Sequence, residues 1–257
     1  MLYFSLLGSG SSGNSSLIFT KDSQILIDAG FSLKQLAARL ELVGQNVDKV
    51  KAVFITHEHS DHILGLGVLA RRAGIPVYIT QETFEALPDR VGKLPEVHFF
   101  EAGDTIQVGN LRVTSFSVSH DAADPVGFTV ESGGAKLGFA SDLGHPSQLV
   151  RARLNGCHAL ALEANYCPVM LRNGSYPPEV QQRIRGRTGH LSNQDMSSLL
   201  SALLHEGLRT IVLYHISENN NTPEQVRMMA AGVVRGHHAQ VYLAEQDRPT
   251  PIFEVRP

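Results

Sequence analysis

The most specific chemical signal in the sequence is the hexapeptide HEHSDH at residues 57–62. It follows the apolar segment KAVFIT at residues 51–56 and precedes an apolar helical pattern that begins near Ile63. Imidazole nitrogens and carboxylate oxygens are the ligands that divalent zinc and manganese accept. A strand-to-helix turn can direct several of them toward two closely spaced ions, so the hexapeptide predicts a metal site. The alternative is that Asp61 caps the helix among solvated histidines.

Four further polar residues stand at the ends of apolar, strand-like segments. They are Asp28 in LIDAG, His120 in SVSH, Asp142 in ASDLG and His215 in LYHIS. Taken singly, such a histidine is more often a hydrogen-bonded core residue, and an aspartate before a glycine is common in turns. Taken in order with the hexapeptide, and in a chain with 12 histidines, they indicate one site built at strand ends.

The segments around these residues predict a layered α/β fold. In the first third of the chain, LYFSLLG, SSLIFT and QILIDAG are typical of buried strands, and LKQLAARLELVG has helical spacing. A β-rich run follows over residues 105–142, and the last third again alternates strands with helices. Two β-rich halves flanked by helices favour an αββα sandwich, which we expect to form a single domain over residues 1–257.

The composition sets limits on the environment and partners of the protein. With 42% hydrophobic and 18% charged residues, the 257-residue chain can bury a sizeable core. No segment approaches the roughly 18 uninterrupted apolar residues of a membrane span, so we expect a cytoplasmic protein without membrane contact. The net charge of −3 gives no basic field, so nucleic acid would need a local patch. The two cysteines, Cys157 and Cys167, are interpreted as small buried side chains.

The pattern HxHxDH, with the four strand-end residues in the same order, resembles the metallo-β-lactamase superfamily. The resemblance implies two mixed β-sheets flanked by helices and a centre of two divalent metal ions, zinc or manganese. The implied ligands are His57, His59 and His120 for one ion, Asp61, His62 and His215 for the other, and Asp142 between them. Asp28 is implied to brace the ligand loop. A hydroxide that bridges both ions is the expected nucleophile.

Two further segments narrow the resemblance to one branch. GHLSN at residues 189–193 and HISENNN at residues 215–221, together with LGSGSSGNSS near the start and LEAN, resemble the YycJ/WalJ family of metallo-β-lactamase-fold nucleases. The resemblance extends over nearly the whole chain. It implies a metal-dependent exonuclease that degrades DNA in the 5′-to-3′ direction. No obligate protein partner is evident from the sequence.

Catalytic roles are predicted for Asp61 and for a pair formed by Glu163 and His190. Glu163 ends the strand-like segment ALALEAN, and His190 follows an arginine-rich stretch. A hydrogen bond between them would hold a protonated imidazole near the ions, where it could act as the general acid for the leaving oxygen. The alternative is that His190 only packs where Ser192 or Asn193 caps the next helix.

Substrate contacts are predicted for an arginine-rich stretch and for the Ser/Gly loop at residues 8–16. The arginines are Arg172, Arg183, Arg185 and Arg187, and with Glu179 they leave a local excess of three positive charges. Guanidinium groups suit phosphate oxygens, although such a run is also typical of a solvated face. Residues 173–189 are polar, lack apolar periodicity and are expected to form a long surface excursion. In the Ser/Gly loop, Asn14 is the candidate for a phosphate contact.

Two other functions stay open from the residues alone. Asp142 and His215 are 73 positions apart, which leaves no room for the extra domain of RNase J-type nucleases. A small-molecule phosphodiesterase, or another ester or thioester hydrolase of the same fold, would use the same groups. A metal-binding regulatory module without turnover is the other rival, and the complete ligand set argues against it.

Overall fold

Two seven-stranded sheets stack against each other in the computed structural model, which describes residues 1–257. Numbered along the chain, the strands of the first sheet in spatial order are β14 (Phe253–Val255), β1 (Leu2–Gly8), β2 (Ser15–Phe19), β3 (Gln24–Ile27), β4 (Ala52–Phe54), β5 (Val77–Ile79) and β6 (Val97–Phe99). Those of the second sheet are β13 (Gln240–Leu243), β12 (Thr210–Tyr214), β11 (Ala159–Glu163), β10 (Ala135–Ala140), β9 (Val126–Ser132), β8 (Leu111–Ser117) and β7 (Thr105–Val108).

Nine α-helices connect or cover the strands. They are α1 (Leu33–Leu42), α2 (Ser60–Ile63), α3 (Leu66–Ala73), α4 (Gln81–Glu85), α5 (Gln148–Leu154), α6 (Pro168–Asn173), α7 (Pro178–Arg185), α8 (Asn193–Leu203) and α9 (Pro223–Val233). Single 3-10 turns lie at Val47–Lys49 and Asp89–Val91. Ser32 and Gln35 form a capping box at the start of α1. No helix has the length and apolar character that crossing a membrane requires.

Both sheets combine an antiparallel half with a parallel half. In the first sheet, pairing is antiparallel from β14 to β3 and parallel from β3 to β6. In the second sheet, it is antiparallel from β7 to β10 and parallel from β10 to β13. Parallel neighbours end at the same edge of a sheet, so residues that follow these strands are brought together.

Three layers of apolar side chains hold the sandwich together. The layer between the sheets contains 25 buried residues, among them Phe4, Phe54 and Phe128. A second cluster of 18 buried residues packs α1 and α3 onto the outer face of the first sheet. A third, of 20 residues, packs α5, α8 and α9 onto the second sheet. Strands covered on both faces read as continuous apolar runs, which explains the sequence pattern and confirms the predicted αββα sandwich.

The stretch 173–189 differs from the sequence-based expectation. It lies on the surface as expected, but it contains the helix α7, which begins with Pro178 in its first turn. No residue of α7 is buried, so it lacks the apolar periodicity that reveals helices packed on a core. The expectation for the cysteines is also half wrong. Cys157 is buried, and burial raises the pKa of its thiol to about 12, whereas Cys167 is partly exposed.

Candidate metal centre

The predicted site residues meet at one edge of the two sheets. Those that follow or end strands of the parallel halves are Asp28 after β3, the hexapeptide after β4, Asp142 after β10, Glu163 at the end of β11 and His215 after β12. His120 reaches the same edge from the end of β8. The strand ends of both sheets therefore supply the site together.

Three of these residues have an unusual backbone conformation. Asp28, Asp142 and His215 are the non-glycine residues with positive φ, at 62°, 49° and 55°. Aspartate, asparagine and histidine tolerate this left-handed region better than most side chains. Each lies where a strand has just ended and the chain turns sharply. Such strain concentrates at functional sites, where the surrounding structure must hold it in place.

The imidazoles and carboxylates form four overlapping groups of converging ligand atoms, one of which joins Asp142 and His215 to Glu163 and His190, and two of which have the members that the sequence predicts. His57, His59 and His120 present ligand atoms within 4.8 Å of one another, and His59 Nδ1 lies 3.2 Å from His120 Nε2. Asp61, His62 and His215 form the other group, in which Asp61 Oδ2 lies 3.5 Å from His62 Nε2 and 3.6 Å from His215 Nε2.

The carboxylate of Asp142 lies between these two groups. Its Oδ1 is 3.7 Å from His120 Nε2 and 3.6 Å from His215 Nε2, and its Oδ2 is 3.2 Å from His62 Nε2. Two ligand atoms about 2.1 Å from one tetrahedral ion lie about 3.4 Å apart. The spacing of the side chains therefore suits divalent metal binding at this position.

Hydrogen bonds orient four of the imidazoles in the same way. Nδ1 of His62 lies 2.7 Å from Asp28 Oδ2, Nδ1 of His120 lies 2.9 Å from the Gly189 carbonyl, and Nδ1 of His215 lies 3.2 Å from Glu163 Oε1. These oxygens only accept, so Nδ1 carries the proton and Nε2 is left to bind at the site. The hydroxyl of Thr56 donates to Asp28 and accepts from Nδ1 of His57 at 3.0 Å.

Two of the inward nitrogens are buried without any hydrogen-bond partner, namely Nε2 of His57 and Nε2 of His215. An unpaired buried nitrogen costs free energy unless something else satisfies it. A divalent cation would do so at both positions, since neutral imidazole nitrogen is a preferred ligand. The donor set, its spacing and its orphaned nitrogens thus fit metal ions.

The electrostatics of the cluster favour positive charge at His62 and His215 but not at His57. Burial lowers the pKa of His62 and of His215, but the carboxylates around them outweigh it, so both pKa values lie well above the usual range. Burial lowers the pKa of His57 well below its usual value. Because a metal ion and a proton compete for the same imidazole nitrogen, a cation would take the proton's place at His62 and His215.

Glu163 and His190 form the hydrogen-bonded pair that the sequence predicts. Glu163 Oε1 lies 2.7 Å from His190 Nδ1, and Oε2 accepts from the backbone of Leu143 and Leu191 at 2.7 and 3.1 Å. Burial would raise the pKa of Glu163, but the charge and hydrogen bond of His190 bring it to about 2. The same carboxylate raises the pKa of His190 against the effect of burial. Ser192 caps α8 as expected.

The predicted substrate-binding residues have different surroundings. Asn14 is buried, and its Nδ2 donates to Asp61 Oδ2 at 3.0 Å and to the Gly10 carbonyl at 3.1 Å. Arg183 is ion-paired with Asp121. Arg172, Arg185 and Arg187 are exposed, and their guanidinium groups make no hydrogen bond or ion pair within the protein.

Several residues of the site were missed in the sequence. Asp121 Oδ1 lies 3.3 Å from His120 Nε2, and its position directly after a predicted ligand was a usable signal. Glu58 Oε1 accepts from the Ala123 backbone at 2.9 Å, which ties the hexapeptide to the loop after His120. Asn165 Nδ2 donates to the His215 carbonyl at 2.9 Å, a contact across 50 positions that no local pattern reveals.

Fold and site together define a member of the beta-lactamase superfamily. The chain matches the model of the beta-lactamase superfamily domain over residues 23–216. The metallo-beta-lactamase fold protein YhfI from Bacillus subtilis superposes with a TM-score of 0.74 at 16% identity, covering 99% of this chain and 100% of that one. This likeness concerns the fold alone.

Two full-length relatives identify the branch. The chain is 35% identical to exodeoxyribonuclease YycJ from Bacillus anthracis over 99% of both chains. It is 34% identical to exodeoxyribonuclease WalJ from Streptococcus pneumoniae, covering 98% of this chain and 97% of that one. The protein therefore belongs to the YycJ/WalJ family of the beta-lactamase superfamily, which confirms the resemblance found in the sequence.

Proposed function

We propose that the protein is a metal-dependent exodeoxyribonuclease that hydrolyses the phosphodiester bonds of DNA in the 5′-to-3′ direction. The observation that carries the proposal is the position of Asp142 between two converging ligand groups. The full-length likeness to YycJ and WalJ supports DNA as the substrate. The proposal includes action in the cytoplasm without an obligate protein partner.

Two divalent cations, zinc or manganese, complete the proposed centre. The residues proposed to hold them are His57, His59 and His120 for one, Asp61, His62 and His215 for the other, and Asp142 for both. Bound divalent cations lower the pKa of water by several units and offset negative charge on a phosphodiester. Asp28 supports the centre through its bonds to His62 and Thr56.

Asp61 and His190 have proposed roles besides metal binding. The side chain of Asp61 is 22% exposed, so it can accept a hydrogen bond from water in the cleft. His190 is held through Nδ1 by Glu163, which leaves Nε2 free to donate a proton. The His190 ring stacks on His215 with centroids 5.3 Å apart, which keeps it beside the ligand groups. We propose that His190 protonates the leaving oxygen and that Glu163 keeps it charged.

The substrate side of the proposal rests on position and charge. Asn14 contacts Asp61 directly, so its amide lies within reach of a phosphate bound at the centre. Arg183 is connected to the same edge through Asp121 and His120. Arg172, Arg185 and Arg187 are exposed, and residues 172–187 carry an excess of three positive charges on a chain whose net charge is −3.

The test is a product-length time course on linear DNA labelled separately at its 5′ and 3′ ends, in the presence of Mn²⁺. We expect short products from the 5′ label at the earliest times, and none from Asp61→Asn protein. Early release from the 3′ label would refute the direction. Intact DNA alongside turnover of a small chromogenic phosphodiester would refute DNA as the substrate.

A further inference from the structure

The segment between β11 and α8 forms an insertion at the edge that carries the metal centre. Tyr166 bridges to Ser192, and the Asn193 backbone donates to the Tyr166 carbonyl at 2.9 Å. The chain therefore leaves the edge and returns to the same place. The intervening residues 167–189 contain α6 and α7, and we call them the α6–α7 hairpin.

A cavity of about 180 Å³ lies at the base of the hairpin. Its lining residues are Tyr166, Pro168, Leu171, Arg172, Gln181 and Arg185. Pockets that enclose drug-sized ligands are usually about 300–1,000 Å³. This cavity is too small for a whole nucleotide and suits a single compact group.

The charges of the cavity indicate that this group is an anion. Arg172 and Arg185 both line it, and no carboxylate does. Neither guanidinium makes an ion pair or hydrogen bond within the protein, in contrast to Arg183, which is bound to Asp121. Two like charges at one cavity repel each other, and an anion between them removes that cost.

Phosphate matches these groups best among common anions. A guanidinium fork donates two parallel hydrogen bonds to phosphate oxygens. Tyr166 lines the same cavity, and its hydroxyl makes no hydrogen bond with the protein. Burial raises the pKa of Tyr166 to about 12, so the hydroxyl stays protonated and able to donate.

We propose that Arg172 and Arg185 together bind one backbone phosphate of the DNA strand at a distance from the bond being cleaved. This inference rests on the proposed function and adds a second contact point for the substrate. Tyr166 is three residues beyond Glu163, so their Cα atoms are at most about 11 Å apart. A strand held at the metal centre can therefore extend over the cavity.

The test compares two double variants that remove the same charge. Arg172→Gln/Arg185→Gln removes the proposed contact. The control is Arg209→Gln/Arg235→Gln, whose arginines are also exposed and without side-chain partners. Arg209 directly precedes β12, and the other end of β12 leads to His215 and the metal centre. Arg235 follows α9, the helix that runs back from that end. Both arginines therefore lie at the edge of the sheet opposite the metal centre. Binding of a fluorescent single-stranded oligonucleotide of about 12 nucleotides, with phosphorothioate linkages that resist cleavage, is measured by anisotropy with Mn²⁺ present, so that the metal centre is filled.

We expect the hairpin variant to raise Kd roughly tenfold, as loss of charge-assisted hydrogen bonds does. The slope of log K against log salt should fall by about 0.7, which corresponds to one phosphate of a single strand. The control should keep the wild-type Kd and slope. Arg172→Lys/Arg185→Lys should restore the slope but not the full affinity, because lysine keeps the charge and loses the fork.

Three results would overturn the subsite. The first is a hairpin variant that binds with the wild-type Kd. The second is a control variant that loses as much affinity for DNA as the hairpin variant. The third is wild-type protein that does not bind DNA. Failure of the proposed function is a separate observation, namely wild-type protein that binds the phosphorothioate oligonucleotide but does not hydrolyse unmodified DNA with Mn²⁺.

Discussion

Asp142 is the residue on which both proposed cations depend, and its backbone allows the charge to be removed alone. Asparagine has the same shape and also tolerates the positive φ of 49°. We expect Asp142→Asn to lose at least one metal ion per chain and to reduce DNA hydrolysis more than about 100-fold. Mass spectrometry measures the metal content, and circular dichroism checks that the variant is folded. Asp22→Asn, an exposed position, is the control, and wild-type metal content in Asp142→Asn would count against the shared site.

His190 should affect proton transfer and leave the metals in place. It bonds through Nδ1 to Glu163, and it is not needed to complete either proposed ligand group. We expect His190→Gln to lower kcat on DNA by about 10²–10⁴-fold. Turnover of a nitrophenyl phosphodiester should fall much less, because that leaving group needs no proton. Loss of a metal ion, or equal losses on both substrates, would rule out the general-acid role.

At the scale of elements, the site depends on three loops that meet at Gly30. They are the turn after β3 that contains Gly30 itself, the ligand loop that contains Asp61, and the Ser/Gly loop that contains Asn14. A Cβ at Gly30 would lie 1.7 Å from the Asp61 carbonyl oxygen and 2.5 Å from the Asn14 nitrogen. Gly30→Ala must therefore push the ligand loop away from the Ser/Gly loop. We expect a loss of about 2 kcal/mol or more in the free energy of unfolding, together with weaker metal binding.

Gly232→Ala is the matched control for this change. Gly232 lies within α9, and an added Cβ there meets nothing within 4 Å. Alanine is the better helix former, so this variant should gain about 0.5–1 kcal/mol. Urea denaturation of both variants measures these changes in the free energy of unfolding. Equal stability of the two alanine variants would show that the loops do not pack as described.

The sequence indicated the elements well wherever burial left a periodic pattern. LYFSLLG, SSLIFT and QILIDAG were recognisable as strands because both of their faces are covered. Helix α7 was not recognisable, since it packs no residue into the core. The high histidine content overstated the number of histidines at the site, because His205 and His237 donate to backbone carbonyl groups away from it.

The residues proposed as metal ligands could be picked out in the sequence, whereas the contacts that support them could not. The residues of HxHxDH are close together in the sequence, and the other four candidates each follow an apolar, strand-like segment. Short local patterns were therefore enough to identify them. The bond from His120 to the Gly189 carbonyl joins residues 69 positions apart, and it depends on how the second sheet and its loops fold. The cavity between Arg172 and Arg185 depends likewise on the path of the α6–α7 hairpin.

At the scale of the whole molecule, we propose that residues 1–257 form one domain. The two sheets share a layer of 25 buried residues, and β14 near the end of the chain pairs with β1 near its start. We expect metal-free protein to unfold in one calorimetric transition with equal calorimetric and van't Hoff enthalpies. Added Mn²⁺ should raise Tm, because it binds only the folded state. Two separate transitions would contradict a single domain.

The most direct test of the account is a metal titration of protein freed of metal by chelation, with DNA hydrolysis as the measured activity. The two ligand groups that share Asp142 predict that hydrolysis is absent at first and reaches its maximum near two equivalents of Mn²⁺ or Zn²⁺ per chain. Full hydrolysis without added metal, or a maximum at one equivalent, would contradict the proposed centre.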